Sequence, residues 1–167
     1  MTQAGVALVV VPATVEHLDA LIEGDEVFEE RFDVTVVAGY LDFPAVLEPT
    51  RRGLDDGADP EWGSHLFIDL AANELVGFGG YKGPPVNGEV EIGYSVAPTR
   101  RRRGYATSAA RELIERARAA GVAVVSAHTL PEPNASTRVL ARCGLEHVGG
   151  LVDREDGFVW RWECRLT

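Results

Sequence analysis

Residues 89–109 read EVEIGYSVAPTRRRRGYATSA, and the way this stretch divides decides the fold. In the first eight residues Val90, Ile92, Tyr94 and Val96 alternate with Glu89, Glu91, Gly93 and Ser95. That period of two marks a strand with one buried face. Pro98 ends it, having no N–H to offer a ladder. After the arginines, Ala106, Ala109, Ala110, Leu113, Ile114, Ala117 and Ala120 recur at helical spacing, and Gly121 follows as a natural stop. The unit is therefore a strand, a loop of four arginines and a glycine, and a helix.

The charge in that loop needs an explanation. The chain carries a net charge of −10, with 26 acidic and 16 basic side chains. A helix start already holds roughly half a positive charge. Four further positive charges there are unfavourable unless an anion joins them. The first turn of a helix offers unpaired N–H groups, a glycine lets backbone approach a ligand, and arginine adds charge-assisted hydrogen bonds. These are the parts of a pyrophosphate site. The loop is neither GxxxxGK[ST] nor GxGxxG. A solvated basic loop without a ligand and a nucleic-acid tag are the other readings. Overall acidity argues against a general nucleic-acid binder, which must neutralise phosphates. Residues 1–99 hold 18 acidic and 4 basic side chains, and residues 100–167 hold 8 and 12. This asymmetry suits an anionic ligand for the C-terminal part and a cationic one for the N-terminal part, or is simply uneven surface charge.

Outward from that unit, Val6–Val11 reads as a first strand. Thr14 reads as an N-cap for a helix bearing Val15, Leu18, Leu21 and Ile22. Residues 24–63 fit one or two short helices through Phe28, Phe32, Val36, Val37, Tyr40 and Leu41, broken afterwards by Pro44, Pro49, Gly53, Gly57 and Pro60. Residues 64–70 and 75–81 form a hairpin. Residues 122–128 form a buried strand, Ala135–Cys143 a helix closed by Gly144, and residues 145–152 and 158–166 two strands about a turn. The order β, helical region, β-β-β, α, β, α, β-β describes a mixed α/β domain with a largely antiparallel sheet. At 167 residues, with no polar linker, the chain is expected to be a single domain, 1–167. No apolar run reaches the ~18 residues of a membrane span. Two cysteines without a CxxC and four scattered histidines give no metal spacing. A reduced, cytoplasmic protein without a metal is expected.

Arg101-Arg102-Arg103-Gly104-Tyr105-Ala106, following EIGYSVAP, resembles the R-x-x-G-x-G/A signature of the GNAT superfamily of acyl-CoA-dependent N-acetyltransferases. PNASTRVLARCGL, residues 133–145, resembles the N-x-x-S-x-R-V-L-x-x-x-G-F segment of its RimJ/RimL-like branch. The resemblance runs from about Leu66 to the C-terminus. It implies a sheet splayed after Val96 that admits acetyl-CoA. Val96 would pair with the pantetheine arm, and Arg101, Arg102, Arg103, Gly104, Tyr105 and Ala106 would hold the pyrophosphate. Asn134 and Ser136 would join the cofactor site.

The implied reaction is direct acetyl transfer to a primary amine, on a protein N-terminus or a small molecule. Glu91 is the candidate base, through water, with Glu89 as the alternative; either can equally be a surface or amine-orienting carboxylate. Ser136 is the candidate donor to the departing sulfur, or else a helix cap. The position where many members carry a catalytic tyrosine falls near Ala141, which leaves a non-catalytic acyl-CoA-binding domain as the second reading. Cys143 reads as packing rather than nucleophile. His128 is read either as core or as a catalytic or orienting group. Trp160 and Trp162 read as core or interface. Phe28, Phe32, Tyr40 and Trp62 read as packing or acceptor-pocket lining. Relatives often dimerise, so a homodimer is admitted; no nucleic acid or membrane partner is expected.

Overall fold

The computed structural model describes residues 6–166. Strands β1 (Leu8–Pro12), β2 (Thr35–Val36), β3 (Ser64–Asp69), β4 (Glu74–Tyr81), β5 (Glu89–Val96), β6 (Val124–Thr129), β7 (Glu146–Asp153) and β8 (Gly157–Arg165) share one sheet. Its order is β1-β3-β4-β5-β6-β8-β7, with β2 beside β4. Pairing is antiparallel except for β5–β6 and the short β2–β4 contact. Helices α1 (Val15–Glu23), α2 (Asp25–Phe32) and α3 (Leu47–Asp55) lie on one face, and α4 (Tyr105–Ala119) and α5 (Ala135–Arg142) on the other. Among the described residues no helix is long and apolar enough to cross a membrane.

The sheet separates two apolar clusters. Phe67, Val76, Val90, Ile92, Val125 and Trp162 pack beneath Leu113 and Ile114 of α4 and Leu140 of α5. Leu66, Leu75 and Phe78 pack beneath Leu18, Phe28 and Leu47 on the other side. The alternation expected of β5 holds: Val90, Ile92 and Val96 are buried. Helix α4 follows as expected, closing at Ala120 before Gly121 with φ +83°.

Two expectations change. Helix α3 contains Pro49 and Gly53, which the sequence reading took as breakers. Pro49 is the third residue of the helix, where its missing N–H has no intrahelical carbonyl to meet in any case. Val36, placed in a helix by spacing, instead forms the two-residue β2, since α2 stops at Asp33 in the left-handed conformation (φ +55°).

The sheet also opens earlier than expected. Strands β5 and β6 pair from Glu89↔Val124 only to Ile92↔Ala127. Beyond that point β6 remains paired with β8 to Thr129↔Trp160, and β5 with β4 to Gly77↔Val96. The strands thus part after Ile92, four residues before Val96, and Gly93–Val96 keep one edge free.

Candidate active site

The free edge of β5 has a definite polarity. Lys82 N–H donates to Glu91 O at 2.9 Å and Ala97 N–H to Val76 O at 2.8 Å, so odd-numbered positions of β5 bond towards β4. By alternation, Tyr94 and Val96 turn their backbone groups into the opening. Arg101 Nε already donates to Val96 O at 3.3 Å. Opposite this edge stand the starts of α4 and α5. Together they enclose a cleft of about 800 Å³ lined by Tyr94, Ser95, Val96, Arg101, Arg102, Gly104, Tyr105, Ala106, Asn134, Ser136 and neighbours.

At the start of α4 no side chain among the described residues caps the helix. Its N-cap is Gly104, left-handed at φ +85°, and a Cβ there would meet no atom within 4 Å. The glycine answers a backbone need and leaves open space in front of the unpaired N–H groups. Arg102 is also left-handed, at φ +64°, a conformation that non-glycine residues hold only where the surroundings demand it.

The four arginines separate by role. Arg100 is bound to Glu74 through Nε and Nη2 at 3.1 and 2.8 Å, a two-point pair that ties the loop to β4. Arg100, Arg101 and Arg102 line the cleft. Arg103 does not; its charge acts on Asp69 and Tyr105 instead. The Tyr105 hydroxyl donates to Asp69. That bond holds the Asp69 carboxyl below the usual range, with the Ala72 N–H adding to it, and pushes the Tyr105 phenol up. The Tyr105 side chain is therefore an anchor.

Asn134 caps α5. Its Oδ1 accepts from Thr137 N–H at 2.9 Å, and Thr137 Oγ1 accepts from Asn134 N–H at 2.9 Å. The cap role considered for Ser136 thus belongs to Asn134, and Ser136 faces the cleft. Beside Ser136 lies the Tyr94 hydroxyl, buried and without a hydrogen-bond partner in good geometry. Burial pushes this phenol up, while Ser136 pulls weakly the other way. The sequence reading treated Tyr94 only as an apolar strand position. Its one available signal was a phenol two residues before the end of the strand.

Glu91 lies outside the cleft lining. It is on the opposite face of the sheet, one residue before the strands part, with Glu89, Ser126, His128, Arg161 and Glu163 on the same face by register. Glu89 accepts from Arg161 at 2.7 Å. Glu91 Oε2 accepts from Lys82 Nζ at 2.8 Å. Burial works to lower the Lys82 ammonium, but the Glu91 bond and charge outweigh it and hold it charged. Cys143, at the far end of α5, has its thiol pushed up by burial, which does not suit a nucleophile. Phe28 and Tyr40 are core residues, and Trp62 packs edge-on against Tyr81.

A family model described as "Acetyltransferase (GNAT) domain" matches residues 7–146. No protein of curated function matches the sequence significantly. Solved structures share the fold at low identity. The ribosomal-protein-S5-alanine acetyltransferase of Vibrio fischeri superposes with TM-score 0.68 at 12% identity, covering 96% of this chain and 94% of that one. A SpeG spermidine N-acetyltransferase chimera from Vibrio cholerae and hSSAT gives 0.68 at 15%, covering 96% of each. The ribosomal L7/L12 acetyltransferase RimL, in complex with coenzyme A, gives 0.68 at 18%, covering 98% and 96%.

Proposed function

Because the chain belongs to the GNAT acetyltransferase family, we propose that it moves the acetyl group of acetyl-CoA onto a primary amine, as RimJ/RimL-like enzymes do. The observation that carries this reading is an uncapped helix start facing a strand edge freed from its neighbour. A pyrophosphate suits the first, since the N–H groups at Gly104–Ala106 lack partners and Arg101 and Arg102 stand beside them. An extended amide-bearing arm suits the second, adding to the free edge at Tyr94 and Val96 as a strand would. Arg103 adds charge from behind the loop. Asn134 shapes the cleft by fixing the start of α5.

Acetyl-CoA supplies an acetyl thioester and leaves as the free thiol. The chain's own residues have two tasks. On the open face, Glu91 is the base for the amine: its Oε2 is held by Lys82, while Oε1 has no partner among the described residues. Glu89 is the weaker choice, because Arg161 and Ser126 engage it. In the cleft, the Ser136 hydroxyl can donate to the departing sulfur, and the Tyr94 hydroxyl, buried beside Ser136, can back that donor. With no tyrosine near Ala141, this pair is the acid the site offers, and it favours turnover over a binding-only domain. The acceptor class is a protein N-terminus or a small amine, and the acidity of residues 1–99 favours a cationic one.

Thermal unfolding with acetyl-CoA, CoA, ATP and buffer tests the cofactor. A ligand at 100 times its Kd stabilises by about 2.7 kcal/mol. A shift with both CoA species and little with ATP is expected. No shift with any of them would confine the likeness to fold.

A further inference from the structure

On the open face of the sheet, His128 occupies the first position of β6 beyond the parting of the strands. Its side chain is 11% exposed, and among the described residues neither ring nitrogen has a hydrogen-bond partner. Buried polar groups are seldom left so, and each such exception calls for a reason. Nδ1 lies 3.7 Å from Glu91 Oε2 and 3.8 Å from Asp153 Oδ2. Asp153 is itself fixed. Its Oδ1 accepts the N–H groups of Glu155 at 2.8 Å and Asp156 at 3.1 Å, which hold its carboxyl below the usual range and leave Oδ2 to the imidazole. Glu91 and Asp153 are each partly open to solvent, at 23% and 26%, and the imidazole between them is not.

We propose that His128 is a positioning and proton-accepting residue for Glu91, with Asp153 as the counter-ion of the charged imidazole. This rests on the acetyltransferase reading above. A primary ammonium has three N–H protons and its amide product has one. One of the two released protons ends on the CoA sulfur, which takes the electron pair of the broken C–S bond as the N–C bond forms. The other must reach water. Its route runs from the ammonium to the Glu91 carboxylate, from its Oε2 side to His128 Nδ1, 3.7 Å away, and out past Asp153. Glu91 is thereby returned to its basic form and to its ion pair with Lys82.

Every charged group around the imidazole fits that task. From β5 it meets Glu91, with Glu89 further along. Lys82, just after β4, is held by Glu91. Arg161 of β8, the cross-strand neighbour of His128, is held by Glu89 and Glu163 at 2.7 and 2.9 Å. Asp153 of β7 and Asp156 of the following turn complete the set. Arg161 is matched by Glu89 and Glu163 and Lys82 by Glu91, so Asp153 is the carboxylate left to balance an imidazolium.

The test uses the full chain, acetyl-CoA, and two probe acceptors, spermidine and a peptide with a free N-terminal serine, with thiol release followed from about pH 5.5 to 9. His128→Gln should keep acetyl-CoA affinity and the KM for the amine, lose about tenfold in kcat, and flatten the acid limb of the profile. Asp153→Asn should also lower kcat, and the double variant should be no worse than His128→Gln alone, since the two act as a unit. Unchanged kcat and acid limb in a folded His128→Gln overturns the relay, as does full additivity of the two losses. Should neither probe be acetylated, imidazole titration by NMR decides: a His128 whose midpoint is the same in the wild type and in Asp153→Asn overturns the pairing. Failure of the wild type to bind acetyl-CoA overturns the acetyltransferase reading instead, and is told apart by that binding measurement.

Discussion

Two helices begin at the same cleft, and they begin differently. The start of α5 is closed by its own chain: Asn134 and Thr137 satisfy each other reciprocally. The start of α4 has no capping side chain, a left-handed glycine, and open space before it. Both helices carry the same partial positive charge at that end. One has two of its first-turn donors, at Asn134 and Thr137, satisfied internally, and the other has none satisfied by a capping side chain. The basic loop belongs to the second. Under the proposed function the contrast gives the two ends separate duties: α4 would receive the anion that lets the arginines tolerate each other, and α5 would place Ser136.

The largest effect is expected at Gly104. Gly104→Asp should weaken acetyl-CoA binding by at least about 100-fold, close to 3 kcal/mol, by setting a carboxylate where an anion should lie. Gly104→Asn is the sharper control. Asparagine tolerates the left-handed region better than most residues, and a Cβ at this position meets nothing. Its loss should be clearly smaller. Calorimetry with both variants reads the difference, and equal affinities for wild type and Asp variant would end the assignment of α4.

Next comes Tyr94→Phe, opposite the start of α5. It should lower kcat about tenfold with acetyl-CoA affinity intact, if the phenol backs Ser136 as the donor to sulfur. The same variant should raise stability by about 1 kcal/mol, since it removes a buried hydroxyl that has no partner. Lower stability with unchanged kcat would mean that Tyr94 only packs. Smaller again is Asn134→Ala, which should cost about 1 kcal/mol of stability through the lost cap. Acetyl-CoA affinity should move only a few-fold. A large loss of affinity without a loss of stability would make Asn134 a ligand contact and erase the contrast between the helices.

How much of this was legible in the sequence differs along the chain. Strand β5 and helix α4 were legible because each has a single buried face, so period and burial coincide. The GNAT signature lay in their junction. The segment around α3 was not, since Pro49 breaks a helix interior but not a first turn, and sequence alone does not say which turn it occupies. The place where β5 and β6 part was missed by four residues because it depends on where β6 stops pairing, a property of two strands rather than one. Among the expected site residues, Val96, Arg101, Arg102, Gly104, Tyr105, Ala106, Asn134 and Ser136 line the cleft, and Arg103 and Glu91 do not. Arg100 and Arg103 could not be told from their neighbours by sequence, since their partners Glu74 and Asp69 are distant in the chain. His128 showed no ligand spacing, and its two carboxylates come from other strands.

The smallest effect is expected at the other end of α5. Cys143 follows the last turn, with its thiol 3.7 Å from Thr107 O, and it is absent from the cleft lining. Burial disfavours its thiolate, so the form that would attack a thioester is the one its surroundings suppress. Cys143→Ala removes one sulfur atom from a partly buried place and should cost less than about 1 kcal/mol. Turnover and acetyl-CoA affinity should be unchanged. Because α5 is only eight residues long, a chemical role for Cys143 would require the acyl group to travel the length of the helix, away from Ser136. A folded Cys143→Ala variant that binds acetyl-CoA normally yet transfers nothing would show such an acyl-enzyme, and would move the working end of α5 from its start to its finish.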